Sequence, residues 1–170
     1  DRIDKAIHPM MLFFQARSML NDGIKAFREL GDILERKGLT DTTCYHRARS
    51  RQAWLMSRQG NYGKVYQLAE GAANYFMSSG DKDEACYALN NMSYARMMLG
   101  EYQESQELAR QALDYAVDPH SGNISPWFFT MGNLGYAVYL CGDLQEAKRI
   151  YEETNNLAIE LHYSPIGLAY

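Results

Sequence analysis

The feature that most constrains this chain is an internal repeat marked by three glycines. Gly60, Gly100 and Gly142 are spaced 40 and 42 residues apart, and the residues around them match column by column. A small residue precedes each glycine by seven positions and an aromatic residue by six: Ala53-Trp54, Ser93-Tyr94 and Gly135-Tyr136. A large apolar residue follows each glycine by two positions: Tyr62, Tyr102 and Leu144. Matched columns at a nearly constant period predict a stack of one supersecondary unit.

Each repeat is predicted to contain two helices. Apolar residues recur at helical spacing, and no alternation typical of strands competes with them. Asp81 and Asp143 each precede a glutamate by three residues, as in a capping box. Ser125 is predicted as an N-cap, with Pro126 at the first helical position. We predict helices over 42–59, 61–79, 82–99, 101–118, 125–141 and 143–162, with a loop over 119–124.

The chain is predicted to form a single domain of repeats. Residues 1–41 are interpreted as a degenerate leading repeat, in which Asn21-Asp22-Gly23 either breaks the helix into a pair or lies within one long helix. The repeats proper are assigned to 42–80, 81–122 and 123–163, and residues 164–170 to the entry into a further repeat. We expect the sequence to be a segment of a longer protein.

Composition excludes several functional classes. The formal net charge is −4, so the chain lacks the global basic field of non-specific nucleic-acid binding, and we expect no direct nucleic-acid partner. The most apolar stretch, 127–142, is short for a membrane span and contains glycines, so we expect no membrane insertion. Cys44, Cys86 and Cys141 form no CxxC pair, which favours a reducing compartment and predicts a cytoplasmic protein.

The sequence contains no pattern that indicates catalysis. The four histidines share no spacing that would place two of them on one helix face, so no metal site is predicted. Phosphate-binding glycine loops, a nucleophile elbow and a zinc-protease motif are all lacking in the sequence. We therefore expect a protein that is not an enzyme and that uses no cofactor.

The repeat columns resemble the tetratricopeptide repeat (TPR). The second unit carries the pattern best, through Leu89, Asn91, Ser93, Ala95, Gly100, Tyr102, Ala112 and Leu113. The first unit departs from it, with Arg49 and Gln52 where large apolar residues are usual. The period of 40–42 residues exceeds the basic 34-residue unit. It is similar to the long-helix subclass in sensor regions of MalT-like signalling ATPases, bacterial peptide-sensing regulators and kinesin light chains.

This resemblance implies an all-α fold, a right-handed superhelix of antiparallel helix pairs whose concave face is lined by the first helix of each pair. The resemblance places these residues there: Arg47, Arg51, Trp54, Arg58, Tyr87, Asn90, Asn91, Tyr94, Phe129, Asn133, Tyr136 and Tyr139. It implies a module that binds a protein, a peptide or a small effector, as the sensor region of a larger bacterial signalling or transcriptional regulator. The alternative is a structural scaffold or a self-association domain that forms homo-oligomers.

The polar residues of this set allow two interpretations. Arg47, Arg51 and Arg58 share one helix face with Trp54, which suits an anion-binding end of an aromatic groove. The other interpretation, which is the more common for such a charge stripe, is a solvated helix face with Trp54 packed into the neighbouring repeat. The asparagines in the set lie within helices, where asparagine is mildly unfavourable. They either bind a ligand backbone or tie neighbouring helices together.

The aromatic residues of the set allow two interpretations as well. Tyrosine and tryptophan offer a large, rigid contact area with a polar tip, which suits a recognition surface. Aromatic rings at helical spacing also fill the core of a repeat protein. The sequence leaves these alternatives open.

Overall fold

Eight α-helices joined by short turns account for most of the structure. The computed structural model describes residues 2–121 and 124–163, and within these ranges it contains no strand. The helices are α1 (Arg2–Ala16), α2 (Leu20–Arg36), α3 (Thr43–Ser57), α4 (Tyr62–Ser79), α5 (Lys82–Met98), α6 (Tyr102–Tyr115), α7 (Ser125–Leu140) and α8 (Leu144–Glu160).

The six helices predicted from residue 42 onward agree with α3–α8 to within three residues at each end. Asp81 and Asp143 cap α5 and α8, as predicted, by accepting backbone N–H bonds from the glutamates three residues later. The prediction for Ser125 was wrong, because α7 begins at this residue and Ile124 is the N-cap. The predicted loop after α6 contains a 3₁₀ turn, Pro119–Ser121. The expected helix entry at 164–170 lies outside the described residues.

The turns repeat a left-handed backbone conformation. Between the two helices of each pair, a positive φ occurs at Ser18 (56°), Gly60 (80°), Gly100 (84°) and Gly142 (89°). Ser18 precedes Gly60 by 42 residues, so α1 and α2 share the register of the later pairs. The break therefore falls at Ser18, whereas 21–23 lies inside α2. A serine in a conformation that favours glycine conceals this turn from sequence analysis.

The helices form two layers. α1, α3, α5 and α7 pack side by side in that order, whereas each second helix packs chiefly against its chain neighbours. Since the first helices lie closer to one another than the second helices do, they form the inner wall of the array. The fold prediction is confirmed at this level: the described chain is an all-α helical repeat superhelix.

Small residues and glycines set the close approach of the helices. Ala53, Ala88 and Ala112 are buried in the central core. A Cβ on Gly135 would lie 3.0 Å from the ring of Tyr151, so the glycine makes room for that ring. Small residues at these contacts let large neighbours interdigitate at the packing density of a protein interior.

Arg49, which departs from the repeat pattern, is accommodated by α2. Its guanidinium lies against Gly31, where a Cβ would come within 2.5 Å of the Cζ atom. It donates to Asp32 at 2.9 Å and to Gln52 at 3.2 Å. A charged residue is thus tolerated at a normally apolar position because α2 supplies both space and a carboxylate.

Candidate functional site

The inner wall carries all twelve residues predicted for the concave face. They lie on α3, α5 and α7 or at the C-cap of α3, and these helices are neighbours in the inner layer. The wall divides into an amino half, formed by the N-terminal parts of these helices, and a carboxyl half, formed by their C-terminal parts. The two halves differ in how many of their polar side chains already have hydrogen-bond or ion-pair partners within the chain.

A buried ion pair lies at the centre of the amino half. Arg51, on α3, is 3% exposed and donates two hydrogen bonds to the carboxylate of Glu84 on α5, both 2.7 Å long. Its Nε donates to Nδ1 of His8 on α1 at 3.3 Å. Bidentate pairing leaves the Arg51 guanidinium little capacity for a ligand.

Arg47 joins the same network. Its guanidinium lies 2.7 Å from Asp4 of α1, 3.3 Å from Asp81 and 2.9 Å from Glu84. The Arg47 Nε–Glu84 contact is close but lacks hydrogen-bond geometry, since Nε has no hydrogen-bond partner in the described chain. Two of the three arginines predicted to bind an anion are therefore neutralised by the chain's own carboxylates.

An aromatic cluster lies where the amino half meets the carboxyl half. The Arg51 guanidinium lies 4.0 Å above the Tyr87 ring. Trp54 contacts that ring at a centroid distance of 6.1 Å and Phe129 at 5.8 Å. Phe129 thus reaches from α7 to α3 across α5. Burial raises the pKa of the Tyr87 phenol far above its ordinary value of 10, so this group stays protonated.

The three asparagines tie the inner helices together. Asn91 donates to the backbone carbonyl of Ser50 at 3.4 Å, which joins α5 to α3. Asn133 donates to Oδ1 of Asn90 at 3.2 Å, and Asn90 donates to Oγ1 of Thr130 at 2.6 Å, which join α7 and α5. Of the two interpretations of these residues, the helix tie is the one present in the structure.

The carboxyl half is open and unpaired. Arg58 is exposed, lies 4.7 Å from the Trp54 ring and has no ion pair among residues 2–121 and 124–163. Tyr136 and Tyr139 are 45% and 51% exposed and stack at 6.2 Å with an interplanar angle of 13°. Tyr94 is half-buried on α5, near enough to Arg58 and Tyr136 for both to influence the pKa of its phenol.

Met98 completes this surface, with 43% of its area exposed. We call the surface the tyrosine strip and define it as Arg58, Tyr94, Met98, Tyr136 and Tyr139. Burial, together with the nearby Tyr62 phenol, raises the pKa of Tyr94, so this phenol stays protonated at neutral pH. The strip thus offers aromatic rings, one soft thioether and one cation to a ligand.

Sequence analysis missed the partners that neutralise the arginines. Asp81 and Glu84 were interpreted as cap chemistry, and Asp81 does cap α5, yet both also face Arg47. Asp4 and His8 lie on α1, whose register was concealed by Ser18. Their spacing of four residues on one helix was the available signal, but it identifies no partner 43 residues away.

Other kinds of site find no support in the residues described. No group of three or more histidine, cysteine, aspartate or glutamate side chains in that part of the chain could hold a metal ion. None of the described helices is long and apolar enough to cross a membrane.

Comparisons with known proteins identify the class of fold. No family model and no curated protein sequence matches the chain. The TPR domain of Arabidopsis FLU superposes with a TM-score of 0.61 at 16% identity, covering 68% of this chain and 95% of that one. The chain therefore has the fold of a TPR domain.

Two crystal structures of kinesin light chain TPR-like repeats from Podosopora anserina also align, each at 14% identity. One covers 96% of this chain and 99% of its own with a TM-score of 0.39. The other covers 94% and 97% with a TM-score of 0.38.

Proposed function

We propose that this protein is a non-catalytic recognition module that binds a polypeptide segment of a partner protein along the tyrosine strip. The observation that carries the proposal is the exposure of Tyr136 and Tyr139, which stack on α7 of the inner wall. On α3 of the same wall, Arg58 lies against Trp54 and has no ion pair among the described residues. Every other predicted arginine and asparagine of that wall is engaged within the chain.

The physical basis is the cost of exposing these side chains. Stacked tyrosine rings present a large apolar area to water, and burying it under a partner recovers free energy with little loss of side-chain entropy. Met98 adds an adaptable contact next to the rings. Arg58, held against Trp54, offers a charge-assisted hydrogen bond and forms no ion pair with a carboxylate of the described residues. Aromatic and arginine anchors of this type dominate protein interfaces.

The test is a selection of binding peptides from a random library displayed on phage. The selected peptides are synthesised and their affinities measured by fluorescence anisotropy. Tyr136→Ser combined with Tyr139→Ser is expected to weaken binding by about tenfold or more. Trp54→Ala combined with Tyr94→Ala is a second variant, with circular dichroism to confirm the fold. Ile159→Ser is the matched control, because Ile159 is 66% exposed on the outer helix α8.

Equal affinity of the selected peptides for the wild type and for both double variants would overturn the proposal. Loss of binding in Ile159→Ser alone would place the binding surface on the outer layer and would overturn it as well.

The role of this module within a larger protein is proposed from the sequence resemblance to long-period TPR sensor regions alone. The positive-φ turns between paired helices keep spacings of 42, 40 and 42 residues, which is the long period of the sensor regions that the sequence resembles. The module then serves as the sensor of a larger cytoplasmic signalling or transcriptional regulator, and a small effector is the other ligand class to test. A nucleotide-binding loop or a DNA-binding helix pair elsewhere in the full-length protein would support this role.

Self-association is a second candidate function, favoured by the exposed apolar residues of the last helix. Leu144 and Ile159 of α8 are 61% and 66% exposed. Light scattering over a range of concentrations separates the two functions. A dimer abolished by Ile159→Ser but insensitive to the tyrosine variants would support self-association through α8.

A further inference from the structure

We infer that the tyrosine strip takes a proline-rich segment in the polyproline II conformation, with an acidic residue seated at Arg58. This inference rests on the proposed function and names the chemistry of its ligand. Three observations carry it: the hydroxyl groups of the strip, its exposed aromatic rings and the distribution of charge.

The hydroxyl groups suit a backbone that only accepts hydrogen bonds. The hydroxyls of Tyr94, Tyr136 and Tyr139 have no hydrogen-bond partner among residues 2–121 and 124–163, so all three are free to donate. A proline residue has a carbonyl but no N–H group. In polyproline II that carbonyl makes no internal hydrogen bond and stays available to donors. A strip of phenol donors therefore satisfies a proline-rich backbone and leaves no ligand N–H group unpaired.

The aromatic surfaces suit proline rings. Tyr136 and Tyr139 lie nearly parallel and expose their rings on one helix. Proline-rich segments dock in aromatic-lined grooves because they are already ordered and lose little entropy on binding. Tyr94 extends the surface to the next inner helix, and Arg58 extends it to the one beyond.

The general spacing of packed helices suits the repeat of this conformation. Packed helices have axes about 8–10 Å apart. Polyproline II completes a turn in three residues of about 3.1 Å each, or about 9 Å. A segment that crosses α7, α5 and α3 thus presents the same edge to each inner helix. An extended β-strand repeats every two residues, about 6.7 Å, and drifts out of step with the helices.

The charges orient the segment. Arg58 is the one charged residue of the strip, and it lies at the α3 end. Arg47 and Arg51 are neutralised by Asp4, Asp81 and Glu84, so they offer no second anchor. An acidic residue at one end of the proline run therefore pairs with Arg58 while the prolines contact the tyrosines.

The experiment uses synthetic peptides with the 170-residue chain and reads affinity by fluorescence anisotropy. The first peptide has two glutamates followed by roughly nine prolines, three turns of the helix. The second replaces the prolines with alternating glycine and serine, and the third replaces the glutamates with lysines. The first peptide is expected to bind about tenfold or more tightly than the second.

Variants of the protein separate the contribution of Arg58 from that of the tyrosine hydroxyl groups. Arg58→Gln is expected to weaken the glutamate-proline peptide by about two- to fivefold and not to weaken the lysine-proline peptide, whose lysines the arginine repels. Tyr136→Phe combined with Tyr139→Phe keeps the rings and removes the donors, so it is expected to weaken both proline peptides. Equal binding of the proline and glycine-serine peptides overturns the inference, as does a proline affinity that both tyrosine substitutions leave unchanged.

The outcome also distinguishes this inference from the proposed function. If library peptides without proline bind through Tyr136 and Tyr139 and the proline peptides do not bind, the proline-rich ligand is wrong and the recognition module stands. If neither kind of peptide depends on the strip, the proposed function itself is wrong.

Discussion

The two halves of the inner wall are built from the same helices but treat their polar groups in opposite ways. In the amino half, Arg51 is buried, forms a bidentate pair with Glu84 and lies on the Tyr87 ring. In the carboxyl half, Arg58 at the C-cap of α3 is exposed with no carboxylate partner in the described chain. Tyr136 and Tyr139 are open to solvent in the same half.

This contrast shows that residues on the same inner helices can have different roles. A buried charge requires a partner in the fold, because leaving it unpaired costs several kcal/mol. Exposed rings and an exposed guanidinium carry no such requirement. The amino half therefore holds the inner helices together, and the carboxyl half remains available for a partner. Substitutions in the two halves should separate stability from binding.

The largest expected effect is on the buried ion pair. Arg51→Met leaves the Glu84 carboxylate with only its Arg47 contact, and we expect the free energy of unfolding to fall by about 3–5 kcal/mol in urea titrations. Arg58→Met is the matched control in the open half and should change stability by less than about 0.5 kcal/mol. Similar losses in both variants would remove the distinction between the halves.

Removing the second charge of the buried pair, on Glu84, tests this prediction further. Adding Glu84→Leu to Arg51→Met should restore part of the lost stability, because no uncompensated carboxylate remains at that position. A double variant less stable than the single one would show that Glu84 is held mainly by Arg47.

An intermediate effect is expected for the asparagine ties. Asn90 is 8% exposed, donates to Thr130 and accepts from Asn133. Asn90→Ala should lower the free energy of unfolding by about 1–3 kcal/mol, since it leaves buried polar groups without partners. Asn74→Ala, at an exposed position on α4, is the control. Unchanged stability in Asn90→Ala would contradict a structural role.

A smaller effect is expected from pH. Burial, and then the charge of Arg51, lower the pKa of His8 below its ordinary value of 6.5. The unfolded chain binds the proton more readily, so stability is complete above about pH 6.5 and is lost as the pH falls toward the lowered pKa. Protonation also removes the Nδ1 acceptor that Arg51 uses.

Thermal unfolding of His8→Gln between pH 7.5 and 5 should therefore show a shallower decline than the wild type. Part of the decline should remain, because burial also lowers the pKa of His46, which stacks on Tyr75. His120→Gln, at an exposed position, is the control. A decline of equal steepness in His8→Gln would show that His8 does not contribute.

The smallest effect on the free energy of unfolding is expected for the tyrosine substitutions, which should have the largest effect on peptide binding. Tyr136→Ser and Tyr139→Ser replace exposed rings, and each should change the free energy of unfolding by no more than about 0.5 kcal/mol. Urea titration checks this beside the peptide measurements. A loss of several kcal/mol would mean that the strip belongs to the core.

Much of the fold could be predicted from the sequence because helix periodicity, caps and turn glycines are local signals. The helices from residue 42 onward follow from them. The placement of Trp54, Tyr94 and Tyr136 on the concave face followed instead from the resemblance to the tetratricopeptide repeat. The break between α1 and α2 could not be placed, because Ser18 occupies a turn position that glycine marks elsewhere. Arg49 departs from the repeat pattern in the sequence. Only the space beside Gly31 on α2 explains why the fold accepts an arginine at this position.

Only part of the candidate site could be predicted from the sequence. Helical spacing put Arg47, Arg51 and Arg58 on one face, but it gave no means of telling the paired arginines from the free one. Their partners lie on other helices, with Asp4 43 residues from Arg47 and Glu84 33 residues from Arg51.

The sequence alone thus determined a stack of helix pairs with a recurring aromatic column, since both depend on spacing within one repeat. Only the tertiary structure decided which of those side chains are satisfied and which are open. Burial and pairing of a charge depend on residues brought together from different helices, and no local pattern encodes that proximity.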